Sequence, residues 1–393
     1  MKAIGRQSFL IVFDFDHTVV NCNTDEVIPR ALSPPLTAVQ HTMKNKLGMQ
    51  WTKIMDCLCS TYTKEEMTAA AKESIELDPD MPAVFEYLLE AKYRYPVKED
   101  AIPTGTSDQK AQHRVPGFLE INIASDANTM FIDASLDAVL PFLKNHVSQI
   151  HSNPYYELKE AGAEAGREVC YGGDNTHNTN ADDEKERDAL FKELYEATAA
   201  KAGEKEKLIT DFTRKSRVCW YEPKGHDCPC CLHRGKPNMC KTKIIQRIMN
   251  TTALLDYTII FVGDGANDYC PILNLLRPRD YMFARRDFPI HEILSTPIDE
   301  KGGNIVGGCC QIGLWKDAKE LLQLFQTAID HPTQGRLPTL SRFRDLNLHN
   351  SGLEEFRAVT LKKRCGDAIH RTVKALSGQQ QWRPAVRGGP EGD

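Results

Sequence analysis

The sequence predicts an α/β fold with a doubly wound parallel sheet, and three observations predict it. The runs Phe9–Phe13, Phe118–Ala124 and Asp256–Val262 are almost continuously apolar. That pattern suits strands buried on both faces, as parallel sheets require. Each run ends in a polar cluster: Asp14-Phe15-Asp16-His17-Thr18, Ser125-Asp126-Ala127-Asn128-Thr129 and Gly263-Asp264-Gly265-Ala266-Asn267-Asp268. Between the runs lie stretches with helical periodicity, and strands alternating with helices give a layered α/β domain.

Taken in order, the first strand carries the first constraint. A period of two places Asp14 and Asp16 on one side, at the carboxyl end where open α/β sheets bind ligands. Two neighbouring carboxylates repel each other, and a divalent cation with oxygen ligands relieves that repulsion. From Asn21 to Leu77 the pattern turns helical, with apolar residues at three- and four-residue steps in Leu36–Leu47, Trp51–Tyr62 and Lys64–Ser74. Thr63 ahead of Lys64-Glu65-Glu66 reads as an N-cap with acids in the first turn. A turn at Asp78–Pro82 leads into a helix over Ala83–Tyr93, and 96–116 is a polar, proline-containing surface loop.

After the second strand, Ala134–Asn145 reads as a helix and Val147–Ser152 as a short strand. Residues 155–207 break the pattern with Glu, Asp, Lys and Ala; Glu184–Ala202 predicts an exposed helix, and the middle has too few apolar residues to order itself. A helix over Thr242–Met249 follows Pro237-Asn238-Met239-Cys240-Lys241. Beyond the third strand come a strand Tyr281–Ala284, a helix Ile290–Leu294, a strand Asn304–Ile312 and an amphipathic helix Lys316–Ile329. Residues 335–393 add a basic stretch of helical spacing, Leu353–Leu376, and a loose Gly/Pro/Gln-rich tail.

Composition limits the classes of function. Lys and Arg number 49 against 54 Asp and Glu, a net charge of −5, which does not mark a nucleic-acid binder. No stretch approaches the roughly 18 apolar residues of a membrane span. The N-terminus shows no cleavable signal pattern, and the 13 cysteines are expected as reduced thiols in a cytoplasmic setting. Residues 226–240 gather His226, Cys228, Cys230, Cys231, His233 and Cys240, residue types that hold zinc, although their spacing is not a paired C-x-x-C knuckle.

A strand ending in D-x-D-x-T and another ending in G-D-G-x-N-D resemble the haloacid dehalogenase superfamily of phosphotransferases. Together with Ser125-Asp126-Ala127-Asn128-Thr129, Asn238-Met239-Cys240-Lys241, Gly263–Pro271 and the tail Phe283–His291, they look like the phosphoethanolamine/phosphocholine phosphatase family, which has close relatives that hydrolyse pyridoxal phosphate. The resemblance implies a core domain over 8–21 and 78–330, interrupted at 96–116 and 155–207. It also implies a small helical cap over 22–77 and an extension over 331–393. It implies Mg²⁺ held by Asp14, Asp264 and the carbonyl of Asp16, with Asp268 a further ligand or the holder of a bound water. Asp14 would attack phosphorus to form an aspartyl-phosphate. Asp16 would serve as acid and then base, with Thr18 bracing it. Lys241 and Ser125 would take phosphoryl oxygens, Asn128 would lie on the substrate side with them, and Lys243 is the runner-up to Lys241.

Asp25 and Asp126 match acidic positions near the substrate's amine, which implies a small phosphomonoester with a cationic headgroup. The competing reading of each is a helix cap. His17 stands where the family often has Glu, and Asn21-Cys22 where acids are usual. The lower negative charge leaves pyridoxal phosphate open as the substrate. The rival of another class is a non-catalytic scaffold that binds partners through the insertions.

Overall fold

The structure, a computed structural model, describes residues 8–93, 119–158, 181–202, 208–222, 225–228, 231, 238–252, 254, 256–295 and 310–330. The loop expected over 96–116, the middle of 155–207 and the extension over 331–393 lie outside the described residues.

Strands β1 (Ser8–Phe13), β2 (Leu119–Asn128), β3 (Val147–Asn153), β6 (Tyr257–Gly263), β7 (Tyr281–Arg285) and β8 (Gln311–Trp315) form one parallel sheet in the order β3-β2-β1-β6-β7-β8. The side-chain alternation of β1 explains its central place. Phe9, Ile11 and Phe13 enter one hydrophobic core, while Leu10 and Val12 enter the other. β6 follows the same rule, with Ile260 and Val262 on the first side and Ile259 and Phe261 on the second. Both faces are therefore covered, as the apolar runs predict.

Helices α5 (Met81–Tyr93), α6 (Thr129–Val139) and α11 (Ala318–Asp330) close the first face. On that face Phe13 packs 5.2 Å from Phe85 and 5.8 Å from Phe325, ring centre to ring centre. Helices α8 (Lys241–Thr251), α9 (Tyr269–Asn274) and α10 (Pro289–Ser295) close the second. Two boundaries differ from expectation. α6 ends at Val139 instead of running to Asn145, because Pro141 disfavours a helical Leu140, which adopts φ −140°, ψ 51°. The last strand is Gln311–Trp315 where Asn304–Ile312 was expected; residues 304–309 lie outside the described residues.

The expected helical segment after β1 is present as α1 (Thr24–Leu32), α2 (Pro35–His41) with a π-helical continuation over Thr42–Lys46, α3 (Trp51–Ser60) and α4 (Lys64–Ser74). Thr63 caps α4 in a reciprocal capping box with Glu66. A second layer lies on these helices. Helix α7 (Ala181–Ala202) is not the exposed helix expected over Glu184–Ala202: Phe191, Tyr195 and Ala199 are buried, and Tyr195 shares a 2.7 Å hydrogen bond with Ser33. Strands β4 (Tyr155–Glu157) and β5 (Ser216–Val218) form an antiparallel ribbon against α3.

Electrostatics fastens the two layers. Asp56 of α3 receives Arg187 at 2.5 Å and Arg214 at 2.9 Å, as well as the Val218 backbone N–H at 2.9 Å. Arg214 also meets Glu184 and Asp188, and Arg217 meets Glu184. Asp56 is mostly buried, and removing one partner of a buried pair leaves uncompensated charge at a cost of about 3–5 kcal/mol. Asp56→Ala is therefore expected to lower stability by about 3 kcal/mol, read as a lower urea midpoint. An unchanged midpoint would show that the layers hold without this network.

Candidate active site

The carboxyl ends of β1 and β6 lie side by side, with Phe13 opposite Val262, and the chain keeps them together past the sheet edge. The Asp14 N–H donates to the Val262 carbonyl at 2.8 Å. Asp14 then turns its carboxylate over its own loop, where Oδ1 accepts the Phe15 N–H at 2.7 Å. His17 takes a left-handed φ of 54° to turn the chain.

From the neighbouring strand end, Asp264 and Asp268 join Asp14. Carboxylate oxygens of all three lie within 4.8 Å of one another, and all three residues are buried. Asp268 Oδ2 accepts the backbone N–H groups of Asp264 at 3.0 Å and Gly265 at 2.8 Å. This contact explains Gly263: a Cβ there would stand 2.4 Å from Asp268 Oδ2, so only glycine lets that carboxylate close on the turn.

Lys241, the first residue of α8, is the one buried lysine among the described residues and reaches into this group. Its Nζ is 2.8 Å from Asp14 Oδ1 and 3.5 Å from Asp268 Oδ1, and it donates to the Ala124 carbonyl. Burial opposes its charge, but Asp14, Asp268 and Asp126 outweigh that and hold the ammonium above its ordinary pKa. Lys243, the runner-up, is partly exposed and pairs with Asp227.

One lysine cannot balance three carboxylates. Burial, then Asp14, pushes Asp264 up to about 7. The same two causes raise Asp268 well above the ordinary range. Apart from its 3.5 Å ion pair with Lys241, Asp268 Oδ1 has no hydrogen-bond partner among the described residues. A converging set of hard oxygen ligands with an unspent acceptor and excess negative charge fits a divalent cation.

Around this group the expected residues fall into different places. Thr18 donates to Asp264 Oδ1 at 3.2 Å, so it braces Asp264 and not Asp16. Asp16 lies outside the carboxylate cluster; its Oδ1 accepts the Thr24 N–H at 3.1 Å. Burial, then Asp25, raises its carboxyl well above the ordinary value. Ser125 is buried one residue past Ala124, with Oγ accepting the Ala127 N–H at 3.3 Å. Asn128, expected on the substrate side, also serves as the N-cap of α6: its Oδ1 accepts the Phe131 N–H at 3.0 Å, while its Nδ2 has no hydrogen-bond partner among the described residues.

That cap removes the competing reading of two acids. Asn128 caps α6 and Asn23 caps α1, so neither Asp126 nor Asp25 is needed as a cap. Asp25 is buried; its Oδ2 accepts Trp51 Nε1–H at 2.6 Å, and its Oδ1 has no hydrogen-bond partner among the described residues. Burial pushes its carboxyl up to about 7, and Asp126 adds to this. Asp126 Oδ2 accepts Asn267 Nδ2–H at 3.1 Å, which ties it to the turn that carries Asp264.

Arg285 is the residue that sequence reasoning left without a role. Its guanidinium sits 4.5 Å from the Phe288 ring centre and 5.0 Å from that of Trp315, and it donates to the His17 carbonyl and Asn21 Oδ1. It thus pins the loop that follows Asp14. Its position at the end of β7, next to the cluster-bearing β6, is the signal that could have found it.

A parallel sheet with this carboxylate group and its lysine at the carboxyl edge defines a phosphatase of the haloacid dehalogenase type. The pattern of a family described as putative phosphatase matches residues 9–101 and 186–329, more than half of the chain, and the chain belongs to that family. The matched residues include Asp14, Lys241, Asp264 and Asp268 but not Ser125, Asp126 or Asn128. Among curated relatives, "Inorganic pyrophosphatase 2" of Arabidopsis thaliana is 26% identical over 73% of this chain and 74% of its own length. "Phosphoethanolamine/phosphocholine phosphatase" of Homo sapiens is 24% identical over 75% and 80%. "Pyridoxal phosphate phosphatase PHOSPHO2" of Rattus norvegicus is 20% identical over 81% and 98%.

Proposed function

We propose that this phosphatase is a Mg²⁺-dependent phosphomonoester hydrolase that works through an aspartyl-phosphate on Asp14 and prefers a small substrate with a cationic amine, phosphoethanolamine or phosphocholine. The convergence of Asp14, Asp264 and Asp268 around Lys241 is the observation that carries the reading. Asp14, Asp264 and Asp268 would hold the ion, with the Asp16 carbonyl beside them. Bound there, Mg²⁺ supplies positive charge that offsets the phosphoryl oxygens.

The chain's own groups do the rest. Lys241, 2.8 Å from Asp14 Oδ1, keeps that oxygen in place and presents its ammonium to a phosphoryl oxygen, while Ser125 takes another by hydrogen bond. An Asp14 oxygen attacks phosphorus in line with the ester oxygen, whose bond to phosphorus breaks as the aspartyl-phosphate forms. Asp16, whose carboxyl is raised well above its ordinary value by burial and then by Asp25, gives its proton to the leaving alcohol. As a carboxylate it then takes a proton from water, which attacks the phosphorus and frees both phosphate and Asp14. The α1–α4 helices would serve as a cover that excludes bulk water.

Asp25 and Asp126 support the choice of substrate. An ammonium placed between them would pair with Asp25 Oδ1, which has no partner of its own among the described residues, and would favour the ionised form of a carboxyl otherwise near 7. Below that pH Asp25 is neutral and attracts no cation; above it the carboxylate does. The KM for phosphoethanolamine, relative to that for glycerol phosphate, is therefore expected to rise as pH falls through about 7, by at most about tenfold per pH unit. Asp25→Asn should flatten that dependence of the KM ratio, while any change in kcat that follows from lowering the Asp16 carboxyl pKa should be shared by both esters. A ratio that does not move with pH in the unaltered protein would reject an amine-reading Asp25.

The full test is phosphate release from phosphoethanolamine, phosphocholine, pyridoxal phosphate, phosphoserine and inorganic pyrophosphate, compared by kcat/KM. The reading expects the amine-bearing alcohol esters to lead. Leadership by pyridoxal phosphate or pyrophosphate would move the substrate and keep the chemistry, whereas no release from any of them with Mg²⁺ present would point to a non-catalytic scaffold.

A further inference from the structure

On the second face of the sheet, behind Lys241, four cysteines that the mechanism does not use come together. Cys228, Cys231, Cys240 and Cys270 bring their Sγ atoms within 4.8 Å of one another, and none is in a disulfide. Cys228 Sγ is 3.4 Å and Cys240 Sγ 3.8 Å from Cys270 Sγ. A tetrahedral ion with Zn–S bonds of about 2.3 Å sets its sulfurs about 3.8 Å apart. Disulfide bonding would require about 2.05 Å. The spread is too small for a bridged multi-iron cluster and fits one ion.

The surroundings favour thiolates. Thr242 Oγ1 lies 3.0 Å from Cys270 Sγ, and Asn274 Nδ2 donates to the same sulfur at 3.4 Å. Hydroxyl and amide donors of this kind steady the negative charge of a metal-bound thiolate. Three of the four sulfurs belong to buried residues and Cys228 is half-buried, which matches a closed structural site and not an open catalytic one. His226, a candidate from the sequence, is not part of the group: its Nδ1 accepts the Cys228 N–H at 3.3 Å. Cys230 and His233 lie outside the described residues.

We infer that these four cysteines bind one structural zinc ion, which fastens the start of α8, with Lys241, to the acidic turn. Cys240 immediately precedes Lys241, and Cys270 lies two residues past Asp268. A single ion across them ties the start of α8 to the start of α9, so Lys241 and Asp268 keep their spacing. Binding releases the thiol protons to solvent and leaves four thiolates on one divalent ion. The inference uses none of the carboxylates, so it stands or falls apart from the proposed function.

The test is elemental analysis of the full chain purified without chelators, alongside a Cys228→Ser/Cys231→Ser variant and Asp264→Asn. One zinc per chain is expected in the unaltered protein and in Asp264→Asn, and none in the double cysteine variant. Protein grown with cobalt in place of zinc should show the intense visible bands of a tetrahedral tetrathiolate. Zinc at trace level only, iron at one per chain, zinc that leaves with Asp264→Asn, or zinc that survives the double cysteine substitution would each overturn the assignment. Should the double variant fail to fold, the metal content and cobalt spectrum of the unaltered chain still decide.

Discussion

Asp14→Asn is expected to reduce phosphate release by about 10⁴-fold or more and to leave a folded protein. The amide cannot attack phosphorus, so no aspartyl-phosphate forms. The fold should persist, because Lys241 keeps Asp268 at 3.5 Å and the Ala124 carbonyl as partners. The variant also has one negative charge fewer in a group whose charges already crowd, since Asp14 is a leading cause of the raised carboxyls of Asp264 and Asp268. The paired measurements are kcat for phosphoethanolamine and the urea midpoint. Near-full turnover with an intact fold would assign the nucleophile elsewhere.

Lys241→Met is expected to damage both activity and stability. Removing one preorganised donor to a developing charge costs about 10²–10³-fold in rate. Leaving buried carboxylates without their cation costs about 3–5 kcal/mol. The stability loss has a sign in pH. Burial, then Asp14, already raises the Asp264 and Asp268 carboxyls and Lys241 opposes the rise; without the ammonium both take up protons still more readily in the folded protein than in the unfolded chain, so the variant should weaken as pH rises. Saturating Mg²⁺ should return part of the lost stability through the same oxygens. A variant as stable as the original at every pH would show that the lysine does not hold the group together.

The sequence made the centre of this molecule legible for a physical reason. Strands buried on both faces are uniformly apolar, so the point where each meets solvent is marked by an abrupt change of residue type, as at Phe13-Asp14 and Gly263-Asp264. Capping chemistry was equally local, and Thr63 carries it out as expected. What sequence reasoning missed depends on contacts between distant residues. Cys270 belongs with Cys228 and Cys240 only because α9 and α8 lie on the same face of the sheet. The apolar side of α7 is three residues, Phe191, Tyr195 and Ala199, spaced by four among charges; that stripe is narrow enough to read as a solvated helix until α2 is seen against it. Thr18 turns to Asp264 and not to its sequence neighbour Asp16 because β1 and β6 are adjacent. The cap that the Asn128 side-chain oxygen makes for α6 was not part of the motif reading, because it depends on where the helix starts.

These relations give the site a layered construction. The sheet fixes where Asp14 and Asp264 emerge, and the α8 terminus delivers Lys241 to Asp14 and Asp268. Arg285 holds the loop behind Asp14, with its guanidinium against Phe288 and Trp315. The α1–α4 helices supply Asp25 and Trp51, which hydrogen-bond to each other outside the Asp14–Asp264–Asp268 group. Asp25 is not one of the three clustered carboxylates, so altering it leaves the proposed cation ligands in place.

The central claim is that Asp14, Asp264 and Asp268 share one divalent cation and that turnover depends on it. It is tested most directly by following phosphate release from phosphoethanolamine as Mg²⁺ is titrated into protein held in Mg²⁺-free buffer, for the unaltered chain and for Asp264→Asn. Turnover in the unaltered chain should rise by about 100-fold or more from its Mg²⁺-free level, along a single saturating curve. Asp264→Asn should need far more Mg²⁺ or fail to respond. Equal turnover with and without added Mg²⁺, or an unshifted curve in Asp264→Asn, would contradict the account.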